Sequence, residues 1–416
     1  MAIASLLAAY RRGALDPERV IASAGEAARA PVFLNRTPEL WRPLRRGPLF
    51  GVPLAIKDNL AVAGRPTPAG SPVLAEGEPA RRHAAALERL LEAGAAILGR
   101  THMTELAYSG LGLNPHHPRL ENPRWPGRVP GGSSSGSAAA AAMGTVPAAV
   151  GTDTGGSVRI PAAFQGLFGF KPTNGLVPTR GVVPLSPTLD TVGPIAASLE
   201  DAWRVFLALA GWRDAPLPAI ERPLRLAVPR GLRLAPEVAE AFQGAVGRLV
   251  RAGHRVEEAE LPELDEIRRL YRAHGALAAH EAFRLYRDLV EREGDRMDPR
   301  VAARILAAGR FTEDDFALVR QAHERLPVVF WRRLLGIDAV ALPTVPVPPP
   351  RFADLAEDEA YFRTNARVLA HTMPFNFLKG PAISLPLAPG QGLMLAAPPG
   401  SDRQLFALAR AVEAAL

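Results

Sequence analysis

The chain has 416 residues, a formal net charge of +7 and a hydrophobic fraction of 48%, so it can bury a large core. It has no cysteine, which excludes disulfides, thiolate metal ligands and a thiol nucleophile. No run approaches about 18 strongly apolar residues, so no membrane span is expected. The cations are spread along the chain among glutamates, which argues against nucleic-acid binding. The N-terminal positive charge follows the apolar stretch, the reverse of a secretory signal, so a cytoplasmic protein is expected.

The predicted elements of the N-terminal part alternate between helices and strands. Residues 1–30 are predicted to be helical, and Leu54–Lys57 is predicted to be a buried strand. Helical periodicity over residues 83–93 ends at Gly94, and Ala95–Leu98 then predicts a short buried strand. This order of helix, glycine and strand is typical of an α/β crossover.

Two loops rich in serine and glycine follow. The first, Gly131–Ser137, comes after an irregular segment rich in proline and glycine and precedes a small-residue helix predicted at Ala138–Met143. Val146–Val150 is predicted to be a strand, and the second loop, Gly151–Ser157, leads from it into a predicted helical segment at 157–164.

The C-terminal half continues the alternation. Its predicted elements are a helix at Leu199–Ala210 with Ser198 as N-cap, strands at Arg225–Val228 and His254–Glu258 around a helix near 236–251, a mostly helical and charged block at 262–335, strands at Ala339–Leu342, Ile383–Leu385 and Leu393–Ala396, and a last helix near 402–415. The chain shows no internal repeat and no linker. We therefore expect a single large domain covering residues 1–416.

Lysine is rare in this chain, since only three of its 49 Lys+Arg residues are lysine: Lys57, Lys171 and Lys379. An arginine stays protonated in a protein, whereas a desolvated lysine can lose its proton. Lys57 ends an apolar run, which indicates a buried strand that delivers a deprotonatable amine. The alternative is a surface charge.

The second loop contains Thr154-Gly155-Gly156-Ser157 between a predicted strand and a helical segment. Backbone N–H groups at such a turn can hold an oxyanion while the serine attacks a carbonyl. The alternative is a phosphate-binding or structural glycine turn, although no P-loop pattern is present.

The first loop formally matches G-x-S-x-G at residues 132–136, which would make Ser134 a nucleophile. The proline-rich residues 122–130 before it cannot form the central strand that such an elbow requires. Ser134 therefore remains a weaker alternative.

Several motifs together give the chain a specific resemblance. The matching segments are Gly51–Asn59, Gly99–Glu105, Gly131–Ser137, Gly151–Ala162, Gly169–Thr173, Leu189–Pro194, Ala341–Thr344 and Pro381–Pro386. In these segments the chain resembles the amidase signature family of serine hydrolases. The resemblance is weak across about 215–335, where such families set their specificity.

The resemblance implies a role for each motif residue. Ser157 would be the nucleophile, Ser133 the bridging serine held by a cis peptide bond, and Lys57 the base. The oxyanion hole would come from the backbone N–H groups of Thr154, Gly155, Gly156 and Ser157. A buried lysine with no carboxylate partner has a lowered pKa, so neutral Lys57 could accept the relayed proton.

Neighbouring residues have supporting roles in this scheme. Ser134 and Thr152 would support the relay by hydrogen bonding. Arg159 would organise the loop through Asp153 or Asp190, and binding a substrate carboxylate is the alternative for Arg159. Asp58 is expected to point away from Lys57, Lys171 to be structural, and His102 to be a core or loop hydrogen-bonding residue.

The implied fold is α/β, with a mixed twisted sheet covered on both faces by helices. Its core would comprise residues 50–210 and 338–416, with a helical, specificity-forming region at about 215–335. The implied activity is hydrolysis of a small-molecule amide to a carboxylate and ammonia or an amine, without a cofactor or metal. A homo-oligomer is left open, and the acyl group and leaving amine are not set by the sequence.

Two other activities stay as alternatives. One is the A subunit of a tRNA-dependent amidotransferase, and the other is an esterase or carbamate hydrolase of the same fold. The segment Leu387–Leu395 is shorter than the long hairpin of many family members and lacks its pattern, which makes the partner-dependent amidotransferase the less favoured alternative. A non-catalytic scaffold is disfavoured because every catalytic position is intact.

Overall fold

The computed structural model describes residues 1–416. It contains one mixed sheet of 11 strands. The strands in chain order are β1 (Phe33–Arg36), β2 (Pro53–Lys57), β3 (Ala96–Thr101), β4 (Ala148–Asp153), β5 (Phe168–Lys171), β6 (Thr191–Ala196), β7 (Arg225–Pro229), β8 (Arg255–Ala259), β9 (Ala339–Pro343), β10 (Ala382–Ala388) and β11 (Gln391–Ala396). Their order across the sheet is β1-β3-β2-β4-β6-β5-β10-β11-β9-β7-β8.

Fifteen α-helices surround the sheet. They are α1 (Ile3–Arg11), α2 (Pro17–Ala27), α3 (Pro72–Ala75), α4 (Ala85–Glu92), α5 (Ser135–Ala142), α6 (Arg159–Phe164), α7 (Leu199–Ala210), α8 (Pro236–Arg251), α9 (Pro262–His274), α10 (Leu277–Glu293), α11 (Pro299–Leu306), α12 (Glu313–Arg333), α13 (Asp358–Leu369), α14 (Met373–Phe377) and α15 (Asp402–Ala415). No helix is both long enough and apolar enough to span a bilayer.

The two faces of the sheet carry different kinds of packing, because successive side chains of a strand point to opposite faces. On β6, Val192 belongs to a large apolar cluster with α7 and α15, in which Phe406 lies 4.5 Å from Phe170 between ring centroids. Ile195 of the same strand packs instead against α5 and α6. Helices therefore cover both faces, and the predicted fold of a single α/β domain is confirmed.

Strand direction places the motif residues at one edge of the sheet. β2 pairs in parallel with both β3 and β4, with Ile56 opposite Val150. The carboxyl ends of β2 and β4 therefore lie side by side. Lys57 ends β2, and the second serine loop begins as β4 ends at Asp153. Ligands of α/β sheets bind at such carboxyl ends.

The helix α5 brings the first serine loop to the same edge. Seven of its eight residues are buried, and five of its eight residues are alanines. Small side chains let the helix lie close to the sheet, where it contacts β2, β3, β4 and β6. Its N-terminal end at Ser135 therefore lies beside Lys57 and β4.

The structure also departs from the predicted elements. The predicted helix at 1–30 is two helices, because Asp16 caps α2 by accepting a hydrogen bond from the Glu18 N–H at 3.1 Å. β1, β5 and β6 were not predicted. β6 contains Gly193 and Pro194, which usually end strands, yet all six of its residues are buried.

The region 215–335 is only partly helical. Its first part contributes β7 and β8 to the sheet, in parallel with β9. Only the later part, from α9 to α12, is the predicted helical block. The connection between β10 and β11 is a two-residue turn at Pro389–Gly390, in agreement with the short segment predicted there.

Candidate active site

Lys57 is fully buried at the end of β2 and contacts two hydroxyl groups. Its Nζ lies 2.8 Å from Ser133 Oγ and 2.7 Å from Thr152 Oγ1. Burial lowers the pKa of Lys57 to about 7, although the negative charges of Asp190 and Asp153 act in the opposite direction. No carboxylate forms an ion pair with Lys57, so the amine can be neutral near pH 7.

The aspartate that follows Lys57 points elsewhere. Asp58 Oδ2 accepts a hydrogen bond from the Gly70 N–H at 3.0 Å, and its Oδ1 lies 3.3 Å from Arg100 Nε. Burial raises the pKa of Asp58 to about 6, against the lowering effect of Arg100. Asp58 therefore points away from Lys57 and is held by Arg100 and the Gly70 N–H.

The first serine loop reaches Lys57 through Ser133, which follows a cis Gly132–Ser133 peptide bond. The next residue, Ser134, joins this loop to β4. Its Oγ donates to the Thr152 carbonyl at 3.2 Å and accepts from the Thr152 N–H at 3.3 Å. Both serines are fully buried. The two hydroxyls that contact Lys57 thus come from the first serine loop, through Ser133, and from β4, through Thr152.

Ser157 lies in the second loop, immediately before α6, and is 4% exposed. Its backbone carbonyl accepts a hydrogen bond from the Ser134 N–H at 3.2 Å, which ties the two serine loops together. Its hydroxyl makes no hydrogen bond to Ser133 in this structure, and Ser157 lines the adjoining pocket. Such contacts are often long before a substrate is bound.

Asp153 and Arg159 hold the second loop. Arg159 donates to Asp153 through Nε at 3.0 Å and through an Nη atom at 2.9 Å, and both side chains are fully buried. Burial alone would raise the pKa of Asp153, but Arg159 outweighs it and holds that pKa well below its usual range. Arg159 is therefore occupied by the loop and is not free for a substrate carboxylate.

Gly156 differs from what was expected of it. Its N–H donates to Asp153 Oδ1 at 2.8 Å, so this group is not available to an oxyanion. The N–H groups of Thr154, Gly155 and Ser157 have no acceptor within the protein. Gly156 has φ of +133°, and a Cβ built there would lie 2.2 Å from Thr372 Oγ1. Glycine is required here by conformation and space.

Four more residues complete this centre: Asp190, which bonds Thr154 and not Arg159, and three residues that the sequence did not mark as functional. Asn59 donates to Thr152 Oγ1 at 3.1 Å, and Asp190 accepts from Thr154 Oγ1 at 2.5 Å. Two residues come from the C-terminal part: Thr372 Oγ1 donates to the Gly155 carbonyl at 2.6 Å, and Asn376 donates to Asp153 Oδ1 at 2.8 Å. Asn59 and Asp190 lie within recognised motifs, whereas Thr372 and Asn376 carry no local signal.

A small pocket of about 30 Å³ lies beside Ser157. Its walls combine the second serine loop with α9, the start of α10, and α11. The residues that line it are Ala107, Tyr108, Ser109, Thr154, Gly155, Ser157, Leu185, Leu189, Tyr271, Ala276, Ala278, Arg304, Leu369 and Met373. The volume suffices for a reacting group but not for a drug-sized molecule.

Two polar groups in this pocket are incompletely paired. Arg304 donates to the Tyr108 carbonyl at 2.8 Å and lies 4.1 Å from the centre of the Tyr108 ring, but it forms no ion pair. The Tyr271 hydroxyl is buried and has no hydrogen-bond partner. Arg304 is the only cationic side chain that lines the pocket.

Comparison with known proteins assigns the chain to a family. The family model described as Amidase matches residues 35–406. The 2-amino-5-chloromuconic acid deaminase of Comamonas testosteroni is 34% identical over 383 residues, which cover 88% of this chain and 82% of that protein. The A subunit of the glutamyl-tRNA(Gln) amidotransferase of Symbiobacterium thermophilum is 34% identical over 415 residues, with coverages of 88% and 83%.

Solved structures agree with this assignment. A crystal structure of an amidase superimposes with a TM-score of 0.89 at 33% identity and covers 100% of both chains. A 6-aminohexanoate cyclic dimer hydrolase in complex with its substrate gives a TM-score of 0.88 at 25% identity, with coverages of 100% and 97%. The chain therefore belongs to the amidase family, the amidase signature enzymes, and is a hydrolase of C–N amide bonds.

Proposed function

We propose that this amidase forms an acyl-enzyme on Ser157 and uses Ser133 and Lys57 to move the proton. The observation that carries the proposal is the 2.8 Å contact between Lys57 Nζ and Ser133 Oγ, made by a fully buried lysine whose pKa is lowered to about 7. A neutral amine at that distance can take a proton from the serine hydroxyl, which in turn can take one from Ser157. Thr152 and Asn59 would hold the amine in place.

The reaction then proceeds in two stages, formation of the acyl-enzyme and its hydrolysis. Ser157 Oγ attacks the amide carbon as its proton passes through Ser133 to Lys57. The N–H groups of Thr154, Gly155 and Ser157 would stabilise the resulting oxyanion. Collapse of the tetrahedral intermediate breaks the C–N bond, and the leaving nitrogen takes a proton back from the relay. Water then attacks the Ser157 ester, its proton passes to the same relay, and the carboxylate is released as Ser157 regains its proton.

We also propose that the acyl part of the substrate carries a carboxylate. Arg304 lacks an acidic partner in the pocket beside Ser157, and the Tyr271 hydroxyl there lacks any partner. An incoming carboxylate would accept from Arg304, and hydrogen bonds of this charged kind are stronger than neutral ones. The relative from Comamonas testosteroni is named for an acid, which is consistent with this substrate class.

The experiment uses the purified chain and two amides of equal size, one a monoamide of a short dicarboxylic acid and the other neutral. We expect the acidic amide to be hydrolysed with the higher kcat/KM. The Arg304→Gln variant should raise KM for the acidic amide by about tenfold to a hundredfold and leave the neutral amide unchanged. Equal KM values for the acidic amide in the wild type and in this variant would remove Arg304 from substrate binding.

The acyl-enzyme itself is tested separately. A fluorophosphonate probe should label Ser157, and Ser157→Ala should lower kcat by about 10³-fold or more without changing the melting temperature. Ser134→Ala is the comparison variant, because the Ser134 hydroxyl bonds the Thr152 backbone and passes no proton in the proposed relay, so kcat should fall far less. Labelling at Ser134 would favour an esterase of the nucleophile-elbow type instead.

The second candidate is the A subunit of a tRNA-dependent amidotransferase, favoured by relatives of that name. A stand-alone enzyme is preferred because the hairpin at Pro389–Gly390 is short and lacks the longer pattern of many members. A chain that depends on partner subunits would have almost no amide-hydrolysing activity alone. We retain the expectation of a cytoplasmic enzyme that acts on a small molecule without nucleic acid or membrane.

A further inference from the structure

A backbone contact supports the first serine loop immediately before Ser133. The Gly132 N–H donates to the Gly110 carbonyl at 2.8 Å. A Cβ built at Gly132 would lie 2.6 Å from the Gly112 nitrogen, and a Cβ built at Gly112 would lie 2.5 Å from the Gly131 carbonyl oxygen. The two backbones are therefore in direct contact, with no side chain between them. Because a close-packed interior transmits displacement, a shift of Gly110 is passed to the peptide that leads into Ser133.

One side chain of α13 holds Gly110 in turn. Asn365 Oδ1 accepts from the Gly110 N–H at 2.8 Å and from the Ser109 hydroxyl at 3.1 Å. Asn365 and Ser109 are both buried. A single amide oxygen therefore satisfies two donors, and one of them belongs to the residue whose carbonyl receives the Gly132 N–H. Removing that oxygen would leave both donors unpaired, which is costly in a buried place.

Ser109 has further hydrogen bonds that do not involve Asn365. Its Oγ accepts from the Tyr361 hydroxyl at 2.8 Å and from the Leu111 N–H at 3.2 Å. Tyr361 lies about one turn before Asn365 on α13 and makes no hydrogen bond to Gly110. The two side chains of α13 therefore hold the same segment, but only Asn365 bonds the residue that contacts the serine loop.

We propose that Asn365 is a positioning residue for the Ser133 hydroxyl and acts through the backbone of Gly110. The inference rests on the proposed proton relay, which depends on the distance of 2.8 Å between Lys57 Nζ and Ser133 Oγ. Displacing a reacting group by about 1 Å can lower a rate by about 10²-fold. Asn365 does not line the pocket in which the substrate would react. Its loss should therefore lower kcat and leave substrate binding nearly unchanged.

The main variant is Asn365→Leu, which keeps the branching of the side chain at Cγ and removes the accepting oxygen. With a neutral amide as substrate, we expect kcat to fall by about tenfold to a hundredfold and KM to stay nearly unchanged. The rate at which a fluorophosphonate labels Ser157 should fall by a similar factor, because this step uses the same relay. Wild-type kcat in folded Asn365→Leu would overturn the proposal.

Tyr361→Phe is the matched control on the same helix. It removes one buried hydrogen bond to Ser109, so the melting temperature should fall while kcat is preserved. An equal loss of kcat in Tyr361→Phe would show a general loosening of the segment and refute a specific role of Asn365. Asn365→Ala is the second variant if Asn365→Leu does not fold, because it removes the same oxygen without adding bulk. Near-UV circular dichroism checks folding, and wild-type kcat in folded Asn365→Ala would likewise overturn the proposal.

A double-mutant cycle with Ser133→Ala separates this inference from the relay on which it rests. If the relay is correct, Ser133→Ala alone should lower kcat by about 10³-fold. Asn365→Leu should then cause no further loss in the Ser133→Ala background, because no hydroxyl is left to position. Wild-type kcat in Ser133→Ala would refute the relay itself. A large loss in Ser133→Ala, with the same effect of Asn365→Leu in both backgrounds, would leave the relay intact and refute the positioning role.

Discussion

Two buried lysines, Lys57 and Lys171, have a pKa lowered to about 7 by burial, yet their surroundings differ. Lys171 donates to the Pro172 carbonyl at 2.8 Å and to Asn174 at 3.1 Å, and neither group can pass on a proton. Lys57 contacts two hydroxyls. The proton-accepting role therefore depends on the neighbouring hydroxyls and not on the lowered pKa alone.

The Lys57→Arg variant tests this role directly. Arginine keeps its proton, and its planar group does not fit a site shaped for an amine. We expect kcat/KM to fall by about 10³-fold or more, while the protein remains folded. Lys379→Arg is the control, because Lys379 forms an ion pair with Glu324 at 2.9 Å that arginine can replace. Near-wild-type turnover in Lys57→Arg would remove the base from the mechanism.

The pH dependence follows from the same residue. Burial lowers the pKa of Lys57 to about 7, so the amine is protonated below that pH and neutral above it. Only the neutral amine accepts a proton, so kcat/KM should rise through about pH 7 to an alkaline plateau. The profile is measured with two amides of different charge, to exclude ionisation of the substrate. A profile that falls across this range would contradict the assignment of Lys57 as the base.

At the scale of elements, α10 is connected to the second serine loop through residues 184–190. The Glu281 carboxylate of α10 accepts from the Ser186 hydroxyl and from Thr188 N–H at 3.2 Å. Within that segment, Asp190 accepts from the Ser186 N–H at 3.1 Å and from Thr154 Oγ1 at 2.5 Å. The helical block thus reaches the proposed oxyanion hole through a continuous set of hydrogen bonds.

We expect Glu281→Ala to loosen this connection and to lower kcat by about tenfold, with little change in KM, because the effect falls on Thr154 and not on substrate contacts. Glu291→Ala is the matched control, since Glu291 lies on the exposed side of α10 and forms no ion pair. Separate kcat and KM values are measured with the melting temperature. A change in stability alone, with kcat preserved, would make Glu281 purely structural.

Elements with strong local signals could be predicted from the sequence, and those fixed by distant contacts could not. The helix α7 has the bounds that the sequence predicts, because Ser198 caps it by accepting from the Asp201 N–H at 3.1 Å. β6 was missed because Gly193 and Pro194 suit a strand only in its actual packing, where a Cβ at Gly193 would lie 1.9 Å from the Phe170 carbonyl oxygen. At β6, tertiary contacts outweigh the local preference of glycine and proline.

The candidate site likewise combines residues that the sequence predicts with residues that only distant contacts bring there. Lys57, Ser133 and Ser157 stand in recognisable motifs, so their proximity could be anticipated. Thr372 and Asn376 come from a part of the chain without a motif and meet the second loop only because the fold brings them there. A single sequence does not reveal such long-range partners.

At the scale of the whole molecule, the centre depends on distant parts of one sheet. Lys57 follows β2, Asp153 ends β4, and Asn376 belongs to α14, which precedes β10 on the far side of β6 and β5. Asn376 contacts Asp153 directly. Residues far apart in the chain thus meet around one loop, so the site depends on the part of the sheet that runs from β2 to β10.

The intact lone chain is therefore expected to hydrolyse amides, and EDTA is expected to leave its rate unchanged. Every proton transfer and every charge in the proposed mechanism is assigned to a side chain or a backbone N–H group, and no group of three or more histidine, aspartate or glutamate side chains is arranged to hold a metal ion. Initial rates are measured before and after dialysis against EDTA, with Ser157→Ala as the background. Loss of activity that zinc restores would contradict the metal-free mechanism. If the lone chain hydrolyses neither acidic nor neutral amides but becomes active once a partner protein is added, it is instead a component of a tRNA-dependent amidotransferase.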